Sequence, residues 1–366
     1  MNGSVVAAME LMAVPDADAL AVAAACEVVI GWAHARQIEA IEQVSQQMPD
    51  FVDQTGELID PAPAEVAAAL HWSTGAAIDR ADLAHWLCTD LPQVLDALRL
   101  GRLDLPKARE IVIGTTELPT AARQQLAGDA IDYAAGHTRA QLRAWLARQI
   151  TAIDPDAAAR RRKRAVRTRR VWITPEPDGM ATLGAYLSAE EAQACWNALT
   201  TAAANIEGGV DAARADTLVA LLTGLHVGDP VPVQVIITPA GPELPGHGPL
   251  SAEHTRDLCD RADRITLDRP RPSTGYTPAP GLARWVRTRD RHCRFPGCRR
   301  PAVMCDLDHV IPHPGGTTHH DNLAALCRYH HRLKTYTNWK VQMLPGAVLR
   351  WTSPRGHIYH TSLDDP

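Results

Sequence analysis

Aromatic residues and lysine are scarce in this sequence. Aromatic residues make up 5% of the 366 residues, with only 2 Phe, and Lys occurs at positions 107, 163, 334 and 340 alone. Hydrophobic residues nevertheless reach 46%, so alanine carries much of the apolar content, which favours closely packed helices. Because nearly all basic residues are Arg, base composition explains their number as well as selection does, and Arg abundance alone does not indicate a polyanionic partner.

Long uncharged hydrophobic runs are also missing. The N-terminus has no basic start and is interrupted by Glu10 and Asp16, so we expect it to be a poor signal peptide. Glu27 breaks the apolar run of residues 19–30, and we expect no segment of membrane-spanning length. The sequence therefore predicts no membrane partner and a reducing, cytoplasmic location.

Charge is divided unevenly along the chain. From Pro280 onward there are 13 Lys+Arg against 6 Asp+Glu, a net charge of +7, whereas the remainder carries −12. A basic C-terminal part on an acidic body is typical of polyanion binding, with ordinary surface charge as the alternative. The run RRRKRAVRTRR at residues 160–170 has the same two interpretations, a phosphate contact or a solvated helix end.

The spacing of apolar residues predicts an α+β protein that is mainly helical. Residues 1–238 are expected to form a mostly helical domain with a few short strands, in which Thr138 and Ser188 cap helices. Residues 239–280 are rich in Pro and Gly and are interpreted as a linker. Residues 281–366 are expected to form a second, small domain that ends in short strands.

Four of the eight cysteines fall within 35 residues, in the C-terminal part. Cys293 and Cys298 flank a Pro-Gly turn, and Cys327 is followed three positions later by His330. Two short-spaced pairs separated by a longer insert are typical of a closed, tetrahedral structural Zn²⁺ site. Cys305 is an additional cysteine that either packs beside this site or replaces one ligand.

Further polar residues lie between these cysteine pairs. Asp308-His309, Asn322 and His331 cannot all join a zinc site that already has four ligands. Carboxylate, imidazole and water suit Mg²⁺ or Mn²⁺. The sequence therefore predicts a second metal of a different kind.

The sequence pattern CRFPGC…CDLDHV…GG…DNL…LCRYHHRLK resembles that of the HNH endonuclease family. Within that family it is similar to a bacterial repeat-family branch in which a helical N-terminal domain of unknown function precedes a C-terminal HNH domain. Two features depart from the commonest pattern: four residues separate Cys293 from Cys298, where many relatives have two, and His330 stands where many have Cys. The resemblance covers about residues 280–340.

The resemblance implies a zinc-stapled ββα-metal domain that hydrolyses DNA phosphodiester bonds. His309, which titrates near neutrality, would activate water, and Asp308 with His331 would hold a catalytic Mg²⁺ or Mn²⁺. Asn322 would lie in the turn or helix start after the first strand, where it would hold the loop and orient His309. Asp308 and His309 would end the first strand, and residues 323–334 would form the helix.

Basic residues around the motif are the expected contacts to the DNA backbone. They are Arg284, Arg287, Arg289, Arg291, Arg294, Arg328, Arg332 and Lys334. DNA is thus the predicted partner, with association to the nucleoid when bound, and the helical domain is a possible site for a homodimer or a protein partner. The alternative is a non-catalytic, zinc-stapled DNA-binding or partner-binding protein with a silent HNH domain.

Overall fold

A computed structural model describes most of the chain. The described residues are 3–14, 17–204, 206, 209–226, 229, 235–238, 241–244, 246–260 and 267–363. Their architecture is α+β and mainly helical, with several two- and three-stranded antiparallel sheets. This confirms the predicted fold class.

The first 170 residues are dominated by helices. They are α1 (Gly3–Met12), α2 (Ala19–Gln46), α3 (Ala62–Leu70), α4 (Thr74–Thr89), α5 (Pro92–Arg99), α6 (Leu105–Thr115), α7 (Thr120–Ala134), α8 (Arg139–Ile153) and α9 (Pro155–Arg167). A small hairpin of β1 (Phe51–Val52) and β2 (Leu58–Ile59) joins α2 to α3. Thr138 caps α8 through a capping box with Gln141, as its spacing predicted.

Helices α2 to α8 share one hydrophobic core. Ile38, Leu87, Leu98 and Leu142 are completely buried in it, together with many alanines. Alanine permits close approach of helix axes. Helices α2 and α5 approach more closely still at Gly31, because a Cβ there would lie 2.8 Å from the Leu98 carbonyl oxygen. The high alanine content therefore supports a compact helical bundle.

Helix α2 requires a correction to the predicted absence of long apolar segments. It has 28 residues, with a window of mean hydropathy 1.3, which is enough by length and composition to cross a membrane. Its Ala35, Ile38 and Ile41 side chains are buried against the other helices, although only 17% of the apolar window is buried. Core helices of folded domains pass the same test of length and composition, so α2 is weak evidence for a membrane segment.

The middle of the chain contains smaller units. The hairpin of β3 (Arg170–Pro175) and β4 (Ala181–Tyr186) precedes α10 (Ala189–Ala203), which Ser188 and Glu191 cap as predicted. Next come α11 (Val210–Thr223), the sheet of β5 (Ile236–Thr238), β6 (Gly241–Leu244) and β7 (Gly248–Pro249), and α12 (Ala252–Cys259). The segment VPVQVIIT, residues 231–238, predicts a strand, and its last three residues form β5, whereas residues 231–234 lie outside the described residues. Strands and a helix thus occupy part of the expected linker.

The C-terminal module begins with α13 (Pro280–Asp290). A hairpin of β8 (Asp306–His309) and β9 (Leu323–Leu326) follows, then α14 (Arg328–Tyr336) and a sheet of β10 (Lys340–Leu344), β11 (Val348–Thr352) and β12 (Ile358–Thr361). The expected helix over residues 323–334 is wrong in its first part. All four residues of β9 are buried and pair with β8, and a short, continuous apolar run of this kind is typical of a strand covered on both faces.

A second core extends beyond this module into the helical region. Phe295, Trp339 and Trp351 lie at its centre, and Ile59 and Ala64 from the N-terminal part are buried among them. The region from β1 to α3 therefore packs directly on the C-terminal module, which the sequence did not predict.

Candidate functional site

The four predicted zinc ligands converge. Their ligand atoms, from Cys293, Cys298, Cys327 and His330, all lie within 4.8 Å of one another. The turn at Gly297, with a φ of +73°, closes the first pair, and Cys327 precedes the first residue of α14. The Nδ1 atom of His330 is 3.4 Å from the Cys293 sulfur and 3.2 Å from the Cys327 sulfur. Neighbouring ligand atoms of a tetrahedral zinc site are about 4 Å apart, so a zinc ion fits this set.

The thiols of this group share a buried environment. Burial raises the pKa of Cys293, and the hydrogen bond with Cys293 raises that of Cys298, whereas hydrogen bonds from Cys293 and Cys298 lower the pKa of Cys327. The three thiols consequently do not ionise together without a cation. The donor set is therefore chemically matched to a bound metal ion.

Cys305 lies beside this group but outside it. Its thiol donates to the carbonyl oxygens of Arg300 and Pro301, at 3.7 and 3.4 Å. Of the two alternatives for this residue, the geometry favours the small buried neighbour.

The hairpin and α14 bring a second set of polar residues together. Asp306 and Asp308 are two positions apart on β8, so both side chains leave the same face of the strand. Both reach His331: Oδ2 of Asp306 is 2.8 Å from Nδ1, and Oδ1 of Asp308 is 3.4 Å from Nε2. The hydrogen bond with Asp308, and then that with Asp306, raise the pKa of His331. The imidazole is thus held between two carboxylates.

Asp308 also pairs with a lysine. The Nζ atom of Lys334 lies 2.7 Å from Oδ2 of Asp308 and donates to the carbonyl oxygen of His309 at 2.5 Å. Burial opposes ionisation of Asp308, but His331 and Lys334 outweigh it and lower its pKa. The ionised Asp308 carboxylate and the nearby His331 imidazole nitrogen are together a suitable ligand pair for a divalent cation.

His309 is buried and has a defined orientation. Its Nε2 atom is 2.8 Å from the Thr318 hydroxyl, which itself donates to the Gly275 carbonyl oxygen at 2.7 Å. Since that hydroxyl has only one hydrogen, it accepts from Nε2–H, and Nδ1 carries the lone pair. Burial lowers the pKa of His309, so the neutral imidazole needed for a base is favoured.

Two rings lie next to His309. The Tyr276 ring centroid is 5.2 Å from that of His309, and the His313 centroid is 5.8 Å away. Tyr276 is itself 63% exposed. The segment that contains Tyr276 therefore forms one wall of the site.

Asn322 organises the loop between β8 and β9. Its Oδ1 accepts from the Ile311 N–H at 2.8 Å, and its Nδ2 donates to the carbonyl oxygens of Ile311 and Thr317. Gly316 packs closely against Asn322, because a Cβ on Gly316 would lie 2.4 Å from Nδ2 of Asn322 and 2.3 Å from the Ile311 carbonyl oxygen. This is the position expected of a loop-holding residue.

Two of the predicted DNA-contacting arginines are interior residues. Arg294 is 1% exposed and donates to Asp290 and to the carbonyl oxygens of Ala347 and Thr361. The Arg289 side chain is 7% exposed and donates to Asp290 as well. Asp290 also accepts from the Ala325 N–H. Neither guanidinium group is available for the expected phosphate contact in this structure, because Arg289 also donates to the carbonyl oxygens of His320 and Leu323. The two groups hold α13 against the module.

The other basic candidates divide into engaged and available groups. Arg291 pairs with Glu243, Arg332 pairs with acidic side chains of the β1–β2 hairpin, and Lys334 pairs with Asp308. Arg284 and Arg287 have no ion-pair partner in the described part of the chain, and they line a surface cavity of about 320 Å³. The Arg328 side chain is 73% exposed and 3.2 Å from Asp306. Arg284, Arg287 and Arg328 are thus the predicted contacts that remain accessible.

A second histidine cluster lies nearby, formed by His319, His320 and Asp321. Both ring nitrogens of His320 are engaged, since Nε2 accepts from Arg269 at 2.8 Å and Nδ1 is 2.6 Å from Asp321. The sequence assigns His313, His319 and His320 no role in the motif and predicts loop or surface histidines, but His320 is buried, at 2% exposure.

Sequence reasoning missed three residues of the site. Asp306 could have been found, because alternation along a strand places it on the same face as Asp308. Thr318 and Tyr276 gave no such signal, since Thr318 reaches His309 across a loop and Tyr276 comes from the expected linker.

Comparison with known proteins gives a family but no activity. The family described as "Domain of unknown function (DUF222)" matches residues 21–290. Uncharacterized protein Rv3776 of Mycobacterium tuberculosis (strain ATCC 25618 / H37Rv) is 51% identical over 90 residues, and uncharacterized protein MT2160 of strain CDC 1551 / Oshkosh is 52% identical over 87 residues. Each alignment covers 24% of this chain but only 17% or 16% of the relative. No solved structure matches.

The family match runs from α2 through α13, which is about three quarters of the chain, and therefore includes the bundle, the middle units and the helix that supports the β8–β9 hairpin. The chain belongs to the DUF222 family.

Proposed function

We propose that this protein is a metal-dependent DNA endonuclease of the HNH type, stapled by a structural zinc ion. The Cys293, Cys298, Cys327 and His330 side chains would hold the zinc. Asp308 and His331 would hold a catalytic Mg²⁺ or Mn²⁺. The observation that carries the proposal is that Asp308, which contacts His331 at 3.4 Å, immediately precedes an oriented His309 at the end of β8.

His309 supplies the base in this proposal. Its Nδ1 accepts a proton from water as the water oxygen bonds to phosphorus, and the bond from phosphorus to the 3′-oxygen breaks. Thr318 holds the imidazole through Nε2, so that the basic nitrogen is the opposite one. Solvent protonates the departing oxygen.

The Asp308–His331 pair would meet the second requirement of the reaction, a site for the divalent cation. Its oxygen and nitrogen atoms are 3.4 Å apart, close to the spacing of two neighbouring ligands around an octahedral ion. A divalent cation bound there would supply neutralisation of the negative charge that develops on the phosphate and the leaving oxygen.

The test is cleavage of supercoiled plasmid with Mg²⁺ or Mn²⁺, using wild type beside His309→Ala. Wild type should yield open-circle DNA, and the variant should lose cleavage while it keeps its fold and its zinc, because His309 lies outside the Cys₃His group. Linear product would indicate paired centres. If the variant loses zinc, His309 has been assigned to the wrong metal.

The second candidate is a non-catalytic, zinc-stapled DNA-binding or partner-binding protein. Arg284, Arg287 and Arg328 favour it equally, since phosphate contacts do not require cleavage. Bound DNA, retained zinc and no product from either protein would favour this alternative over the nuclease. The defined tautomer of His309 is the reason to place the nuclease first.

A further inference from the structure

Three consecutive residues of α14 have partners in different parts of the chain. His331 contacts the two carboxylates of β8, whereas Arg332 pairs with Asp53 at 2.8 Å in the helical region. His330 also contacts that region, through Thr74 at the start of α4. The helical region thus contacts α14 on both sides of His331.

The contact between Thr74 and His330 has the geometry of a ligand support. His330 is completely buried and stacks on Phe295, with ring centroids 3.9 Å apart. Its Nδ1 faces the cysteine sulfurs, and its Nε2 lies 3.3 Å from the Thr74 hydroxyl oxygen. When Nδ1 binds a metal, Nε2 carries the proton and needs an acceptor, which Thr74 provides among the described residues.

The local structure leaves the Thr74 hydroxyl available for this role. Ser73, not Thr74, caps α4 by accepting from the Ala76 N–H. The same turn also covers the first cysteine pair, since a Cβ on Gly297 would lie 3.6 Å from the Trp72 carbonyl oxygen. Residues 72–74 therefore lie over the Cys₃His group from outside the C-terminal module.

We propose that Thr74 is an outer-shell residue of the metal site, so that the helical domain helps to hold the zinc. The inference rests on the zinc assignment proposed above. Removing an outer-shell hydrogen bond typically costs 10- to 100-fold in metal affinity, so loss of the hydroxyl should accelerate zinc release by roughly tenfold or more. Thr74 acts here by positioning His330, without touching the ion.

The test is zinc transfer from the full-length protein to a chromophoric chelator. Thr74→Val removes the hydroxyl and keeps the shape, and Thr74→Ser keeps the hydroxyl. Thr89→Val is the matched control, because the Thr89 hydroxyl donates to the His85 carbonyl oxygen within the same helix and is not hydrogen-bonded to a ligand of the Cys₃His group. We expect fast release from Thr74→Val alone, with near wild-type rates for Thr74→Ser and Thr89→Val.

The possible failures are distinguishable. Equal release from Thr74→Val and Thr74→Ser, with zinc bound at one equivalent in wild type, would overturn the role of Thr74 and leave the zinc site standing. A wild-type protein that takes up no zinc would overturn the zinc assignment and this inference together. Acceleration by Thr89→Val as large as that by Thr74→Val would reduce the effect to general loosening of α4 and also refute the proposal.

Discussion

Replacement of Asp306 by Asn tests how the candidate cation site is built. Asp306 accepts a hydrogen bond from Nδ1 of His331 at 2.8 Å. The contact raises the pKa of His331 beyond the main effect of Asp308. Asn offers a neutral acceptor of the same shape, so the substitution removes the charge and keeps the hydrogen bond. We expect the pKa of His331 to fall towards its ordinary value of 6.5.

The magnitude follows from the exposure of the pair. A charge-assisted hydrogen bond contributes about 1.5–3 kcal/mol, and a neutral one about half of that. The Asp306 side chain is 32% exposed, so screening reduces the difference further. The expected loss in the free energy that Asp306 contributes to holding His331 is about 1 kcal/mol. A cation that depends on His331 would then bind about fivefold more weakly.

Two measurements check this expectation. NMR titration of the His331 ring reports its pKa without any need for activity, and the Mn²⁺ dependence of plasmid cleavage reports cation affinity. Arg328→Gln is the control for the titration alone, because Arg328 contacts the same carboxylate at 3.2 Å but is 73% exposed. It is not used in the cleavage assay, since Arg328 is also a candidate DNA contact. An unchanged His331 pKa in Asp306→Asn would refute the carboxylate–imidazole arrangement described here.

Three further expectations concern the zinc group, the interior network and DNA. Cys298→Ser should lose zinc and soluble protein, because structural zinc contributes folding free energy, whereas exposed Cys195→Ser should not; metal analysis of the soluble fraction compares them. Asp290→Ala should cost about 3–5 kcal/mol in denaturant unfolding, since it leaves buried arginine guanidinium groups without their carboxylate, and a loss under about 1 kcal/mol would contradict that role. Changing Arg284 and Arg287 together to Gln should weaken DNA binding and reduce the slope of log affinity against log salt by about 2, and an unchanged slope would remove both from the interface.

Local patterns predicted the parts of this protein that depend on local chemistry. The capping positions Thr138 and Ser188 and the convergence of the two cysteine pairs follow from short-range spacing. The helix expected over residues 323–334 was wrong at its start, because pairing with β8 and burial on both faces outweighed the helical reading of LAAL.

Contacts between distant segments could not be predicted from the sequence. Arg294 is indistinguishable by type from an exposed arginine, and only its packing against Asp290 and two backbone carbonyls makes it an interior residue. Thr74 and His330 are 256 positions apart, and nothing in either local pattern relates them. Such pairs depend on how the helical region docks on the C-terminal module.

The second core also has a consequence for synthesis of the chain. Residues 51–68 supply Phe51, Ile59 and Ala64 to a core whose other members begin at Cys293. At about 5–20 residues per second, a ribosome needs roughly 10–45 s to cover the 224 residues between them, 69–292. During that interval this apolar surface has no native partner, and a chaperone that binds nascent chains would find it exposed until the last fifth of the chain emerges.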